Sequence, residues 1–297
     1  MVLSVATAAS LTACTIDRQE DGARTTPAAT NTQVPANQAQ NASPAQASAQ
    51  QQPVQPAPPA PTTPAAPAAP GGADLNSIAA QVQAQTGAQV GIAVNGQAAG
   101  TLTTGPAWST SKVPLSIAAL RANPNNAAIV DQAIRSSDNA SAEQLWEALG
   151  GGAQAAAAVQ GVIAEGGDTQ TVVQSQKVRP EFSAFGQTVW SLANQSTFAS
   201  NLANIPGSDR VLQDMGAIAP DQAYGLGQIP GARFKGGWGP NPAGAYLVRQ
   251  LGIVNTPCGP RGVAIAAQPA SGTYASGQQA LNALASALSA HMTDVCR

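Results

Sequence analysis

From Thr15 to about Ala73 the chain is almost wholly Ala, Pro, Gln, Thr, Ser and Asn, with stretches such as QQQPVQPAPPAPTTPAAPAAPGG and almost no large apolar side chain. Ordering such residues costs more than their small apolar surface can return, so the tract is predicted to stay disordered with polyproline character. Of the 297 residues, only those from 74 onward can build a core. They suffice for one domain, residues 74–297. As a coil the tract, residues 15–73, spans roughly 40 Å, and fully extended it reaches on the order of 180 Å. It is predicted to be a tether.

Within the domain, hydrophobic periodicity predicts a short helix over Leu75 to Thr86, then a strand, AQVGIAV, over Ala88 to Val94. A turn at Asn95-Gly96 leads to a second extended piece around Gly100 to Thr103. A helix-rich middle runs from Ser109 to about Leu202, interrupted by Gly150 to Gly152 and by the polar stretch Gly166 to Gln187. Extended segments return at Arg233 to Gly237, Ala245 to Leu251 and Val263 to Gln268, followed by an amphipathic helix from about Ser276 to Asp294. Strands at both ends with helices between them predict an α+β domain whose sheet is closed by both chain ends.

The residue inventory excludes several chemistries. A net charge of -2 with 9% charged residues offers no basic surface to neutralise a phosphate backbone, so nucleic acid is not an expected partner. The single histidine, His291, falls in the final helix, so nucleophilic catalysis must find another base. Cys14, Cys258 and Cys296 lack metal-ligand spacing, and no metal or other cofactor is expected. A monomer is expected.

The opening, MVLSVATAASLTAC, ends in Leu11-Thr12-Ala13-Cys14 and resembles the signal peptide and lipobox of a bacterial lipoprotein precursor, residues 1–14. It is too short to span a bilayer. No positive residue precedes the apolar stretch, which suggests a true start a few residues upstream. The resemblance implies lipidation at Cys14, export, and anchorage to the outer face of the cytoplasmic membrane in the cell envelope. Export also favours oxidised cysteines, and a Cys258–Cys296 disulfide tying the last helix to the sheet is expected.

Lysine is scarce: Lys112, Lys177 and Lys235 are the only three. Two of them fall in ordered polar motifs, Ser109-Thr110-Ser111-Lys112 and Lys235-Gly236-Gly237, with Ser137-Asp138-Asn139 between. Residues three apart share a helix face, so Ser109 and Lys112 are neighbours, and the helix N-terminus places positive potential near the serine. A buried lysine beside another cation loses pKa, so Lys112, with Lys235 as that cation, could take the proton of Ser109. The structural alternatives are plain: Ser109 as a helix cap, Ser137 and Asp138 capping the next helix, and Lys235-Gly236-Gly237 as a strand end.

The three motifs in this order resemble the penicillin-recognising serine hydrolases, the family of D-Ala-D-Ala peptidases and class A β-lactamases. The similarity implies that fold over nearly all of the chain beyond the tether, and a nucleophilic Ser109 acylated by a β-lactam or a peptidoglycan-like peptide. It implies Ser137 as proton relay, Asn139 and Gly237 as substrate contacts, and an oxyanion hole from the N–H groups of Ser109 and Trp238. The Ala- and Gly-rich composition with lipobox and Pro/Ala spacer resembles lipoproteins of high-GC actinobacteria.

Four departures qualify the resemblance. Ser109 and Ser137 are much closer in sequence than in class A enzymes, which predicts a cleft open on that side. Gly236 lacks the hydroxyl that helps hold the substrate carboxylate, and Arg249 is the candidate substitute. Counting from Gly167-Asp168, the deacylating glutamate's place falls near Lys177, and the nearest acid is Glu181. Trp238 brings a large ring to a place usually small. Two readings follow: a slow β-lactamase or peptidase, and an impaired relative that binds cell-wall material without turnover.

Overall fold

In the computed structural model, residues 74–293 are described. Cys14, Cys296 and the tract 15–73 lie outside them, so neither the tether nor the expected disulfide is addressed by the fold. Helix α1, Leu75–Thr86, has its expected bounds. Asp74 accepts from the amide of Asn76 at its start, and Gly87 ends it in the left-handed region. Strand β1, Gln89–Val94, turns at Asn95 (φ 47°) and Gly96 (φ 88°) into β2, Gln97–Gly100. Two positive φ values give the tight hairpin turn that matches strand twist. Pairing therefore resumes at Val94 opposite Gln97, and the second strand comes three residues earlier than the sequence pattern suggested.

Beyond the site-bearing turn come α2 (Lys112–Ala122), α3 (Ala127–Arg135), α4 (Asn139–Ala148), α5 (Gly152–Glu165), α6 (Leu192–Asn201) and α7 (Asp209–Met215). Helix α2 is buried at every position from Lys112 to Ala119. A helix apolar on all sides belongs in the middle of a helical cluster, and α3, α4, α5 and α7 surround it. The C-terminal part adds β3 (Arg233–Pro240), β4 (Tyr246–Thr256), β5 (Gly259–Gln268) and α8 (Tyr274–Ala290). Helix α8 ends at Ala290, before the expected Asp294, and His291 sits just past its end.

The strands form one antiparallel sheet in the order β2-β1-β5-β4-β3. Ile92 of the N-terminal hairpin lies opposite Ile265 of β5, so both chain ends do close the sheet. Helices α1 and α8 cover one face over an apolar layer that includes Val90, Ile92, Val248, Ile265 and Leu281. Helix α6 lies against β1 and β5. Strand β3 is left at the edge, where its main chain is open to the helical region. None of the described helices is long and apolar enough to cross a membrane.

Candidate active site

Trp108–Ser111 forms a tight 3-10 turn that runs directly into α2 at Lys112. In this geometry positions i and i+3 eclipse, which puts Ser109 and Lys112 on one side. The neighbouring hydroxyls are consumed locally: Thr110 Oγ1 donates to Ala107 O at 2.5 Å and Ser111 Oγ to Trp108 O at 2.6 Å. No side chain caps the turn or α2. Ser109 is therefore not a helix cap, and it lines a cleft of about 320 Å³, of a size that takes a small molecule or a peptide end.

Backbone strain collects here. Three described non-glycine residues have positive φ, and two of them are Trp108 (49°) and Ser137 (57°). Each costs on the order of 1–3 kcal/mol and persists only because its surroundings enforce it. Trp108 is held by an edge contact with Phe182, ring centres 5.0 Å apart. It is also held by Gly239, where a Cβ would sit 2.5 Å from the indole. At Gly237 a Cβ would meet Ser109 N at 2.8 Å and Ala107 O at 2.9 Å. Only glycine lets edge strand β3 lie this close to the Ser109 turn.

Two buried lysines, one from α2 and one from β3, converge on Ser137. Lys235 Nζ donates to Ser137 Oγ at 2.8 Å and to Gly236 O at 3.0 Å. Lys112 Nζ donates to Ser137 O at 2.5 Å, to Asn139 Oδ1 at 2.8 Å and to Asp138 O at 3.2 Å, with Ser137 Oγ at 3.5 Å. Burial pulls the Lys112 ammonium down to about 7, against the raising influence of Asp138 and Glu143. Burial likewise lowers Lys235, and the charge of Lys112 lowers it further. This reverses one expectation: Lys112 depresses Lys235, and Lys112 itself is shifted by desolvation. Asp138 caps α4 by accepting from Ser141 N at 2.6 Å, so the capping alternative holds for Asp138. Ser137 Oγ faces the two lysines instead.

Trp238 lines the cleft together with Asn139, Glu143, Lys177, Glu181 and Phe182. Glu181 is held below the usual carboxylate range by its own backbone amide and by Arg179, whose Nη2 lies 2.9 Å away. Lys177 stands 3.5 Å from Glu143. Glu143 went unread in the sequence, although it lies one turn after Asn139 on α4 and so shares its face.

Arg249 requires a correction. It is 1% exposed and lines no part of the cleft. On β4 it pairs with Gly237, and its side chain runs beneath the Ser109 turn. There Nη1 donates to Gly105 O (2.8 Å) and Pro106 O (3.0 Å), while Nη2 donates to Trp190 O (2.9 Å) and Gln195 Oε1 (2.5 Å). With its fork committed to these acceptors, it cannot reach a substrate carboxylate. Gln195 passes the support on, donating to Thr110 Oγ1 at 2.8 Å.

The chain has the β-lactamase fold. Its solved likenesses include the extended-spectrum β-lactamase TLA-3, with TM-score 0.60, 14% identity, and coverage of 75% of this chain and 100% of that one. They also include a class A β-lactamase from Mycobacterium abscessus (0.59, 15%, 73% and 98%) and a β-lactamase from Sphaerobacter thermophilus (0.56, 22%, 73% and 98%). At these identities the likeness is one of fold. No protein-family model and no curated protein matches the sequence.

Proposed function

We propose that this chain is an active-site serine hydrolase in which Ser109 is acylated by a β-lactam or a peptide-like acyl donor. The observation that carries the reading is the pair of buried, pKa-depressed lysines meeting at Ser137, which lines the same cleft as Ser109. Ser109 Oγ attacks the acyl carbon and its proton passes to neutral Lys112 Nζ. The N–H groups of Ser109 and Trp238 hold the oxyanion, and Asn139 and Gly237 align the donor. When the intermediate collapses, the acyl–leaving-group bond breaks and the leaving atom takes the proton of Ser137 Oγ, which Lys235 or Lys112 replaces. Water then cleaves the ester, with Glu181 as the nearest candidate base.

An ionised, Arg179-paired carboxylate is a weak base, so deacylation is expected to be slow. Intact-protein mass before and after incubation with several penicillins and cephalosporins tests this. A gain of one drug mass that Ser109→Ala abolishes is expected. Gly236 and Trp238 favour a second reading, a binding module for cell-wall material. Absence of both adduct and hydrolysis, with retained affinity for peptidoglycan fragments, would select it.

Around this domain we propose a lipid on Cys14 and the tract 15–73 as a spacer from the membrane into the envelope. A Cys258–Cys296 disulfide and a monomeric state complete the picture. Mass spectrometry of detergent-extracted, non-reduced protein and light scattering of the domain check these points.

A further inference from the structure

We infer that Arg179 is a specificity-determining residue: it latches the loop 177–183 onto the open edge of β3 and so restricts the donor to a compact acyl part, with no extended peptide behind it. The inference deepens the proposed function, and it rests on Ser109 as the acylated nucleophile with the Trp238 N–H as an oxyanion donor.

The register shows which groups β3 offers to the cleft. Asn241 N donates to Ala245 O at 2.8 Å, which ends the β3–β4 ladder on a bonded pair. Bonded and non-bonded pairs alternate along an antiparallel ladder. Pro240–Tyr246, Trp238–Val248 and Gly236–Gln250 are therefore non-bonded pairs, and the main-chain groups of Pro240, Trp238 and Gly236 face the open edge. Proline is tolerated at position 240 because a missing N–H there removes no ladder bond. Gly236 O already accepts from Lys235 Nζ at 3.0 Å.

The direction of the donor follows. Its leaving atom takes the proton of Ser137, whose Oγ accepts from Lys235 at 2.8 Å, so the leaving group points to the Lys235 end of this run. With the oxyanion on the Trp238 N–H, the acyl part extends the other way, past Trp238 O toward Gly239 and Pro240. There the edge is closed. Arg179 Nη1 donates to Pro240 O at 2.5 Å, and Pro240 has no N–H to offer. A chain that adds to a strand edge needs a continuing row of both groups, and this row stops after Trp238.

The latch is itself held in place. The Arg179 guanidinium lies over the Phe182 ring, 4.4 Å from its centre, and its Nε and Nη2 donate to Glu181 Oε1 at 3.1 Å and 2.9 Å. Gln187 fixes the loop by accepting from Arg179 N at 2.7 Å and donating to Arg179 O at 3.0 Å and Phe182 O at 3.1 Å. Lys177, Glu181, Phe182 and Ser183 line the cleft from the loop, and Gly239 and Pro240 line it from β3. The bond from Arg179 to Pro240 O thus ties two walls of the cleft together.

The test uses the full chain and two thioesters of one thiol, whose acyl parts are N-acetyl-D-alanine and the same D-alanine extended by three further residues. Thiol release is measured with Ser109→Ala as background, and kcat/KM is compared because it reports acylation and not the later release. The compact donor should exceed the extended one by about tenfold, the scale on which a pocket separates related substrates. Arg179→Ala should bring the ratio near one by raising the extended donor. Glu181→Gln, which keeps the bond to Pro240 O, should leave the ratio in place. Arg179→Met, whose stem still covers Phe182, takes the place of the alanine variant if that one does not fold. Ser109-dependent turnover with the extended donor equal or preferred overturns this inference alone, as does a ratio that loss of Arg179 leaves unmoved or that Glu181→Gln moves as far. No Ser109-dependent turnover of either thioester overturns the nucleophile assignment and this inference with it.

Discussion

Two regions on either side of the Ser109 turn each bury cations, and they handle them in opposite ways. Beneath the turn, the Arg249 fork makes four bonds to fixed acceptors, two of them on the segment leading to Ser109. Burial brings even this guanidinium down to about 9, still charged at neutral pH. Beside the turn, Lys112 and Lys235 share acceptors around one hydroxyl, and both are pulled toward neutrality. A satisfied guanidinium fixes geometry, whereas two lysines competing around a single oxygen can exchange a proton. Under the proposed function, the first region holds the site and the second runs it.

Substitutions should separate these roles. Lys112→Met should reduce acylation by about 10³-fold or more, the scale on which concerted proton-transfer groups are lost, while thermal unfolding shows no comparable loss. A large drop in melting temperature with acylation retained would undo the distinction. Arg249→Met should behave in reverse. It leaves buried carbonyls without a donor and should cost roughly 2–4 kcal/mol in urea unfolding, with activity falling only through the displaced turn.

The lysine region should also register in stability against pH. Unfolded lysine binds its proton up to about 10.5 and folded Lys112 only to about 7. Above pH 7 the unfolded state therefore holds more protons, and stability rises with pH. Lys235 adds in the same direction. Between pH 7 and pH 9 Lys112 alone should contribute about 2 kcal/mol, and the total gain should be larger and fall back toward that figure in Lys235→Met. A flat profile would mean that both lysines stay charged in the fold. The smallest effect should be at Glu181. Because Arg179 pairs with it at the exposed rim, Glu181→Gln should lengthen the acyl-enzyme lifetime by less than the roughly 10²-fold of a positioned base. A larger change, followed by intact mass over time, would assign Glu181 as the working base.

Much of this arrangement could be read in the sequence, because local signals and global fold agree there. Asn95-Gly96 announces a two-residue turn, and Leu75 to Thr86 carries its own cap and stop. The order of the motifs singled out Lys112, Ser137 and Lys235, and the fold brings both lysines to Ser137. The unread features depend on contacts between distant segments. Which way Arg249 points is decided by Gly105, Trp190 and Gln195, separated from it by 54 to 144 positions. The strained backbone at Trp108 and Ser137 is enforced by packing that no local preference reveals. The early return of β2 and the end of α8 at Ala290 are boundary shifts set by pairing and capping.

The most direct measurement is the rate at which a β-lactam adduct forms on Ser109 as a function of pH, followed by intact mass with Ser109→Ala alongside. If a desolvated Lys112 takes the serine's proton, the rate rises with pH through about 7 and levels above it. A rate independent of pH from 5 to 9, or an adduct that survives in Ser109→Ala, would contradict the account.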